Sequence, residues 1–290
     1  MTEAAIRPRR SVLFMPGSNA RAMEKAKTID ADVLVFDLED AVAPEAKEEA
    51  RALVAAALQS GDYGHRELVV RINALGTDWW RGDLAAVGPH HPAAVLLPKV
   101  ESIDTLEKVS DELVWHSSDH TAEFWVMLET PRGFLRAEDI AQSHDRLTTF
   151  VIGTNDLVKE TRARHVAGRE PVLHALSHAI LVARAYGLNV LDGVYSNFKD
   201  PEGFATECTQ ARNMGFDGKT LIHPAQVDPA NAAFSASDAE VEEARRMIAA
   251  FDAAKADGKG VAVLDGRMIE ELHLSEARRM VALAEFLANR

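Results

Sequence analysis

Acidic side chains follow several short apolar runs of this sequence. Asp37, Glu39 and Asp40 close one run, Glu129 follows a second, and Asp156 comes shortly after a third. If these runs are parallel strands of one barrel, their carboxyl ends meet at one face and the carboxylates collect there. Crowded like charges are costly unless a positive group neutralises them, and oxygen ligands suit a hard divalent cation. The pattern therefore predicts a Mg²⁺ site that Mn²⁺ can also occupy.

Basic side chains end the same kind of run. Arg71 closes one run, Lys99 follows another, and His223 comes after the last. Lys99 is a candidate for a Schiff base with a carbonyl substrate, or alternatively for an ordinary ion pair. His223 fits either a loop histidine or a catalytic base. The same face of the barrel is therefore predicted to collect cations and a histidine beside the acidic groups.

Each acidic or basic candidate also has a purely structural interpretation. Residues 37–40 could open a helix, whose amino terminus favours negative charge. Arg71 could serve only as the ion-pair partner of those acids. Asp156, together with Asn155, could cap the helix that follows. The sequence alone leaves these alternatives open.

The apolar runs themselves predict the fold. Eight of them recur within residues 12–222, and helical stretches such as Pro44–Leu58 and Pro201–Met214 lie between them. Near-continuous apolar strands that alternate with amphipathic helices are typical of parallel sheets covered by helices, and this number fits a (β/α)8 (TIM) barrel. A doubly wound open sheet is the alternative, but residues 16–19 (PGSN) do not match the glycine-rich dinucleotide loop of that fold. The predicted strands are Val12–Met15, Val33–Asp37, Leu68–Ile72, Ala94–Pro98, Phe124–Leu128, Phe150–Ile152, Asn189–Gly193 and Gly218–Ile222.

Composition limits the partners. The 290 residues include 45 acidic and 32 basic side chains, a net charge of −13, which argues against general binding of nucleic acid or anionic membranes. No apolar run approaches the ~18 residues that a membrane span needs. The one cysteine, Cys208, cannot form an internal disulfide and fits a small buried hydrophobe. We therefore expect a cytoplasmic protein that acts on a small molecule.

The character of the chain changes after the barrel. We assign residues 1–232 to the barrel and residues 233–290 to a C-terminal helical extension. A helix is predicted from Asp238, with Ser237 as its N-cap, and a second helix covers Ile269–Asn289. About 55 residues are too few for an independent core, so we expect this extension to pack on the barrel or on a neighbouring subunit.

The sequence resembles the CitE-like branch of the HpcH/HpaI aldolase family, which includes citrate lyase β subunits, malyl-CoA lyases and citramalyl-CoA lyases. The resemblance covers nearly the whole chain, in order. The segments that carry it are Arg10–Asn19, Phe36–Val42, Val70–Asn73, Leu97–Glu101, Leu128–Gly133, Gly153–Leu157 and Gly215–Gln226.

The resemblance implies a Mg²⁺-dependent lyase that cleaves or forms a carbon–carbon bond beside a CoA thioester. By the matching positions, Glu129 and Asp156 are the metal ligands, and Arg71 polarises the substrate oxygens. The resemblance also implies that Asp37, Glu39 and Asp40 surround the metal-bound waters. It implies that Arg21 and Lys25 contact the CoA phosphates.

Residues 260–266 (GVAVLDG) resemble the lid of malyl-CoA and citramalyl-CoA lyases. There an aspartate, here Asp265, reaches the active site of a neighbouring subunit, which implies a homo-oligomer, a trimer or a hexamer. The expected reaction is cleavage of malyl-CoA or citramalyl-CoA to acetyl-CoA and glyoxylate or pyruvate. The alternatives are a citrate lyase β-type subunit with an acyl-carrier partner, a malyl-CoA thioesterase, and a barrel that binds without catalysis.

Overall fold

The computed structural model describes residues 7–116 and 121–290. Within them, eight parallel strands form a closed barrel in chain order, and the last strand pairs with the first through Ser11 and Lys219. This closure confirms the predicted (β/α)8 barrel over the open sheet. The barrel strands are β1 (Ser11–Pro16), β2 (Val33–Asp37), β3 (Glu67–Arg71), β4 (Ala94–Leu97), β5 (Glu123–Leu128), β6 (Leu147–Ile152), β7 (Asn189–Asp192) and β8 (Gly218–Leu221).

The strands form because their apolar residues are buried on both faces. All five residues of β2 are buried, and Phe36 within it has no exposed surface. One set of side chains, including Val35, Trp125 and Leu191, packs together as a core cluster, and helices cover the alternate set. The helices of the described chain are α1 (Ala20–Ala26), α2 (Lys47–Ser60), α3 (Trp80–Val87), α4 (Asp104–His116), α5 (Pro131–Leu135), α6 (Ala137–Ala141), α7 (Thr154–Thr161), α8 (Leu173–Ala185), α9 (Pro201–Met214), α10 (Val227–Phe234), α11 (Asp238–Ala256) and α12 (Glu271–Ala288).

The chain divides into two compact units, one of residues 9–231 and one that contains residues 232–290. In the second unit, Ser237 caps α11 as predicted: its hydroxyl accepts a hydrogen bond from the Glu240 N–H, and Glu240 bonds back to Ser237. Phe251, Ile269 and Leu274 form part of its buried cluster. Among the helices of the described residues, none has the length and apolar character to cross a membrane.

A β-hairpin joins α11 to α12, a feature that was not predicted from the sequence. Strands β9 (Ala262–Leu264) and β10 (Arg267–Ile269) pair antiparallel, and Asp265 and Gly266 form the connecting turn. Both turn residues have positive φ, 49° and 77°, as a type I′ turn requires. An Asp-Gly pair between two short apolar runs is a recognised hairpin signal, so the sequence did contain this information.

Candidate active site

The carboxyl ends of the barrel strands enclose a cavity of about 430 Å³. Asp37 at the end of β2, Arg71 at the end of β3 and Glu129 just after β5 line it, together with Asp40 and Asp156. Parallel strands bring these residues to one face although they lie far apart in sequence. The structure thus brings together five of the predicted residues.

Arg71 and Asp37 form a bidentate ion pair at this site. The Arg71 guanidinium donates two hydrogen bonds to the Asp37 carboxylate, from Nε at 2.7 Å and from Nη2 at 2.6 Å. Asp37 also accepts hydrogen bonds from the N–H groups of Glu39 and Ala41. It therefore stabilises the turn after β2 instead of opening a helix, and a bidentate pair of this kind fixes the plane of the guanidinium.

Glu39 lies beside this pair and contacts two cations. Its Oε1 accepts a hydrogen bond from Lys99 Nζ at 3.0 Å. Its Oε2 lies 3.0 Å from Arg71 Nη1, but the two groups are not aligned for a hydrogen bond, and no other group of the described residues supplies one to this buried oxygen. Burial raises the pKa of Glu39 even though Arg71 and Lys99 act to lower it.

Glu129 is the most deeply buried carboxylate of the cavity, with 1% of its surface exposed. Its Oε1 accepts a hydrogen bond from the Lys99 N–H at 2.7 Å. Burial, and after it the negative charge of Glu39, raise the pKa of Glu129 to about 8, and Asp156 adds to the rise. Space for Glu129 depends on Gly153, because a β-carbon there would lie 2.3 Å from Glu129 Cβ.

Arg71 supplies the main positive charge of the cavity. Burial alone would lower the pKa of its guanidinium, but the hydrogen bonds and charge of Asp37, followed by Glu39 and Asp40, outweigh burial and raise it. The guanidinium also lies 5.2 Å from the centre of the Phe14 ring. Arg71 therefore stays charged, and its partners hold it in one orientation at the cavity wall.

These carboxylates fit a divalent cation. Glu129 and Asp156 repel each other enough to affect the pKa of Glu129, and Glu39 keeps one buried oxygen without a hydrogen bond. A cation beside Glu129 would favour its charged form and relieve this repulsion. Within residues 7–116 and 121–290, no group of three or more Asp, Glu, His or Cys side chains is arranged as a ready metal cage. Mg²⁺ often uses only one or two protein carboxylates, so the donor set suits it.

Asp156 lies in the first turn of α7, directly after β6. The N-cap of that helix is Gly153, which provides no side-chain cap, and Asp156 instead lines the cavity. Its negative charge also suits the positive end of the helix dipole. The position of Asp156 is therefore compatible with a role as a metal ligand, and Asp156 is not the N-cap of α7.

Lys99 does not have the properties of a Schiff-base lysine. Its ammonium donates to Glu39, and although burial acts to lower the pKa of Lys99, the charge of Glu39 outweighs it and raises the pKa. A nucleophilic lysine needs a neutral amine and hence a lowered pKa. The backbone of Lys99 has a positive φ of 51°, a strained conformation that is common at functional sites.

Lys47 supports the site and was missed from the sequence. Its buried ammonium donates to the carbonyl oxygens of Leu38 and Glu39, at 2.6 and 2.8 Å, and to Asn73 Oδ1 at 2.7 Å. These hydrogen bonds hold in place the acidic turn, residues 37–40 after β2. The available signal was helical spacing: Lys47 and Arg51 fall on the same buried face of α2 as Val54.

The remaining predicted residues lie elsewhere. Arg21 and Lys25 are exposed on α1 and are not among the described residues that line the cavity. Asp265 lies at the tip of the hairpin, largely exposed, where its carboxylate pairs with Arg246 of α11 at 2.6 Å. Their roles at CoA and in a neighbouring subunit stay predictions.

A second cavity of about 660 Å³ adjoins the first. Thr154, Asn155 and Val194 line both cavities. Together the two spaces can accept a substrate much larger than a small keto acid.

A closed parallel barrel with an arginine and several carboxylates at the carboxyl ends of its strands is the arrangement of a (β/α)8-barrel enzyme. The profile of the HpcH/HpaI aldolase/citrate lyase family matches residues 10–224. The chain belongs to this family, which confirms the resemblance predicted from its motifs.

Two sequence relatives and one solved structure show which members of the family this chain is similar to. The chain is 50% identical over 281 residues to a (3S)-malyl-CoA thioesterase of Cereibacter sphaeroides, covering 97% of this chain and 96% of the relative. It is 34% identical over 284 residues to the citrate lyase subunit beta of Escherichia coli, covering 96% and 94%. The crystal structure of CitE from Mycobacterium tuberculosis, in complex with magnesium, acetoacetate and coenzyme A, superposes with a TM-score of 0.76 at 29% identity and covers 97% and 99%.

Proposed function

We propose that this protein is a metal-dependent enzyme that hydrolyses the thioester of malyl-CoA or a similar 3-hydroxyacyl-CoA. One observation carries the proposal: Arg71, Glu129 and Asp156 meet at one cavity in a chain that is 50% identical, over 97% of its length, to a (3S)-malyl-CoA thioesterase. Similarity to the citrate lyase β subunits is lower, at 33–34%. The higher identity to the thioesterase favours thioester hydrolysis as the reaction of this protein.

In this proposal Glu129 and Asp156 hold Mg²⁺, for which Mn²⁺ can substitute. When bound, the cation would act as a Lewis acid toward the oxygens of the substrate. Asp37 and Glu39 fix the guanidinium of Arg71, and Arg71 stabilises the negative charge that develops on the thioester oxygen. Arg21 and Lys25 are proposed to contact the CoA phosphates.

The proton transfers are assigned to Asp265 of a neighbouring subunit in a trimer or hexamer. A water oxygen forms a bond to the thioester carbon while Asp265 accepts a proton from that water. The carbon–sulfur bond then breaks, and the proton passes to the sulfur of CoA. The second proton of the water is released when the new carboxyl group ionises, so the products are malate, free CoA and one proton, and atoms and charges balance.

Carbon–carbon cleavage is the second candidate reaction. The family membership and the CitE complex with magnesium, acetoacetate and coenzyme A favour it. Here the 3-hydroxyl group gives its proton to a water molecule and becomes a carbonyl group as the adjacent carbon–carbon bond breaks. The electron pair of that bond forms an enolate that Arg71 stabilises, and Asp265 passes one proton from solvent to the enolate carbon, so protons balance. Malyl-CoA would give glyoxylate and acetyl-CoA, and citramalyl-CoA would give pyruvate and acetyl-CoA.

Product analysis separates these reactions. The purified protein is incubated with Mg²⁺ and either malyl-CoA or citramalyl-CoA, and free CoA, acetyl-CoA and the released acids are quantified. Malate and free CoA in equal amounts support hydrolysis, whereas acetyl-CoA with glyoxylate or pyruvate contradicts hydrolysis and supports cleavage. Turnover of neither CoA ester contradicts both, and a test with an acyl-carrier thioester of citrate then examines the citrate lyase β-type alternative.

A further inference from the structure

A buried ion cluster lies behind the ends of β7 and β8. Lys219 and Asp192 have no exposed surface. The Lys219 ammonium donates to Asp192 Oδ2 at 2.7 Å, to Glu207 Oε1 at 2.7 Å and to the Gly193 carbonyl oxygen at 2.6 Å. Arg169 donates to the other oxygen of Asp192, also at 2.7 Å. None of the described residues that line the 430 Å³ cavity belongs to this cluster.

Lys219 keeps its positive charge within this cluster. Burial acts to lower the pKa of Lys219, but Asp192 and Glu207 outweigh it and raise the pKa. Buried ion groups contribute little net stability compared with apolar side chains of the same size. What such a cluster does provide is a fixed geometry. Through the hydrogen bond from the Lys219 ammonium to the Gly193 carbonyl oxygen, the cluster also fixes the backbone of Gly193.

Gly193 connects the cluster to the cavity. A β-carbon on Gly193 would lie 2.7 Å from Thr154 Oγ1 and 2.8 Å from Thr154 Cγ2, so Thr154 packs directly on the glycine. Thr154 is the first residue of α7, lines the cavity and lies two positions before Asp156. The position of the Gly193 backbone therefore limits where the start of α7, and with it Asp156, can lie.

We propose that Lys219 and Gly193 are positioning residues for the metal site. Lys219 fixes the Gly193 carbonyl, Gly193 provides the surface on which Thr154 packs, and Thr154 holds the start of α7 so that the Asp156 carboxylate lies beside Glu129. This inference rests on the proposed role of Glu129 and Asp156 as metal ligands. Neither of these two residues is among the described residues that line the two cavities, although Arg169 and Glu207 of the cluster line the 660 Å³ cavity.

The test measures Mn²⁺ affinity of the whole protein without substrate, from the electron paramagnetic resonance signal of free Mn²⁺. Lys219→Met removes the ammonium from beside two buried carboxylates and is expected to lose stability, so the decisive variant is Gly193→Ala. Its added methyl group displaces Thr154, and we expect Mn²⁺ binding to weaken about 10–100-fold, as for other groups that orient metal ligands. Gly76→Ala is the matched control, because a β-carbon at Gly76 meets no atom within 4 Å.

A double-variant cycle shows whether the effect passes through Thr154. In a Thr154→Ala background, the added methyl group no longer meets the threonine Oγ1 and Cγ2 and keeps only a 3.0 Å approach to the Ile152 carbonyl oxygen. Gly193→Ala should then weaken Mn²⁺ binding less than about 3-fold. An equal loss in both backgrounds, or an unchanged affinity in folded Gly193→Ala, overturns the positioning role. If Asp156→Asn binds Mn²⁺ as tightly as wild type, the metal site itself is wrong and the inference fails with it, which is a different result from failure of the positioning role alone.

Discussion

At the scale of single residues, the geometry of Arg71 is fixed by its acidic partners. Its guanidinium makes two hydrogen bonds to Asp37 and a third contact to Glu39, and all three need the planar shape of arginine. A lysine keeps the charge but cannot reproduce this geometry. Arg71 can therefore be both an ion-pair partner of these acids and a catalytic group, because the ion pair orients its guanidinium.

Arg71→Lys tests this view. We expect kcat to fall about 10²–10³-fold, the usual cost of losing one well-placed stabiliser of an oxyanion. The measurement is steady-state release of CoA from malyl-CoA. Arg81→Lys is the control, because Arg81 is mostly exposed on α3 and pairs with Glu112. Equal activity of Arg71→Lys and wild type would remove Arg71 from the mechanism.

Cys208 allows a second test at this scale. Its side chain is completely buried, and burial raises the pKa of the thiol from its ordinary value near 9 to about 12. The reactive thiolate is therefore scarce in the folded protein at pH 8, and we expect negligible reaction with a disulfide reagent until the protein unfolds. Above about pH 9 the thiol ionises in the unfolded chain but not in the folded one, so its contribution to stability falls as pH rises. Rapid modification of the native protein at pH 8 would contradict this.

At the scale of elements, the strands were easier to predict than the groups that support them. Each barrel strand is a local apolar run, and parallel pairing places the following side chains, such as Arg71 and Glu129, at one face. Lys47 contacts Asn73, 26 positions away, and Lys219 contacts Asp192, 27 positions away. Such pairs depend on how helices and neighbouring strands pack, which residue spacing within one element does not specify.

The Lys47 contacts predict a stability effect. Lys47→Met removes the donor to the buried Asn73 Oδ1 and leaves the two carbonyl oxygens with one hydrogen bond each, and an unsatisfied buried group costs roughly 1–3 kcal/mol. We expect a clear loss in the free energy of unfolding, measured by urea denaturation, together with weaker Mn²⁺ binding because the acidic turn is no longer held. Lys108→Met on the exposed face of α4 is the control. A variant as stable as wild type would show that the turn does not need Lys47.

At the scale of the whole molecule, the proposal requires that two subunits complete one site. Asp265 lies at a hairpin tip in the unit that contains residues 232–290, whereas the cavity belongs to residues 9–231. The family resemblance implies that the aspartate serves a neighbouring subunit. The sequence supported this prediction only through the resemblance, since a single chain cannot specify which copy of itself it contacts.

Complementation tests the assignment to a neighbouring subunit. Arg71→Ala and Asp265→Asn should each be inactive alone. In mixed oligomers assembled by co-expression, an intact Arg71 meets an intact Asp265 of its neighbour in about a quarter of the sites, and activity should recover to that level. Absence of recovery in verified mixed oligomers would place both groups in the same subunit or remove Asp265 from the reaction.

The most direct test of the central claim is the metal dependence of malyl-CoA turnover. Metal-free protein is mixed with malyl-CoA in excess EDTA and then in Mg²⁺, and the rate of substrate loss is followed with wild type and with Glu129→Gln. We expect no turnover in EDTA, full recovery on addition of Mg²⁺, and little recovery in Glu129→Gln, because the proposal makes that carboxylate a ligand of the cation. Undiminished turnover in EDTA, or a fully active Glu129→Gln variant, would contradict a metal-dependent site at Glu129 and Asp156.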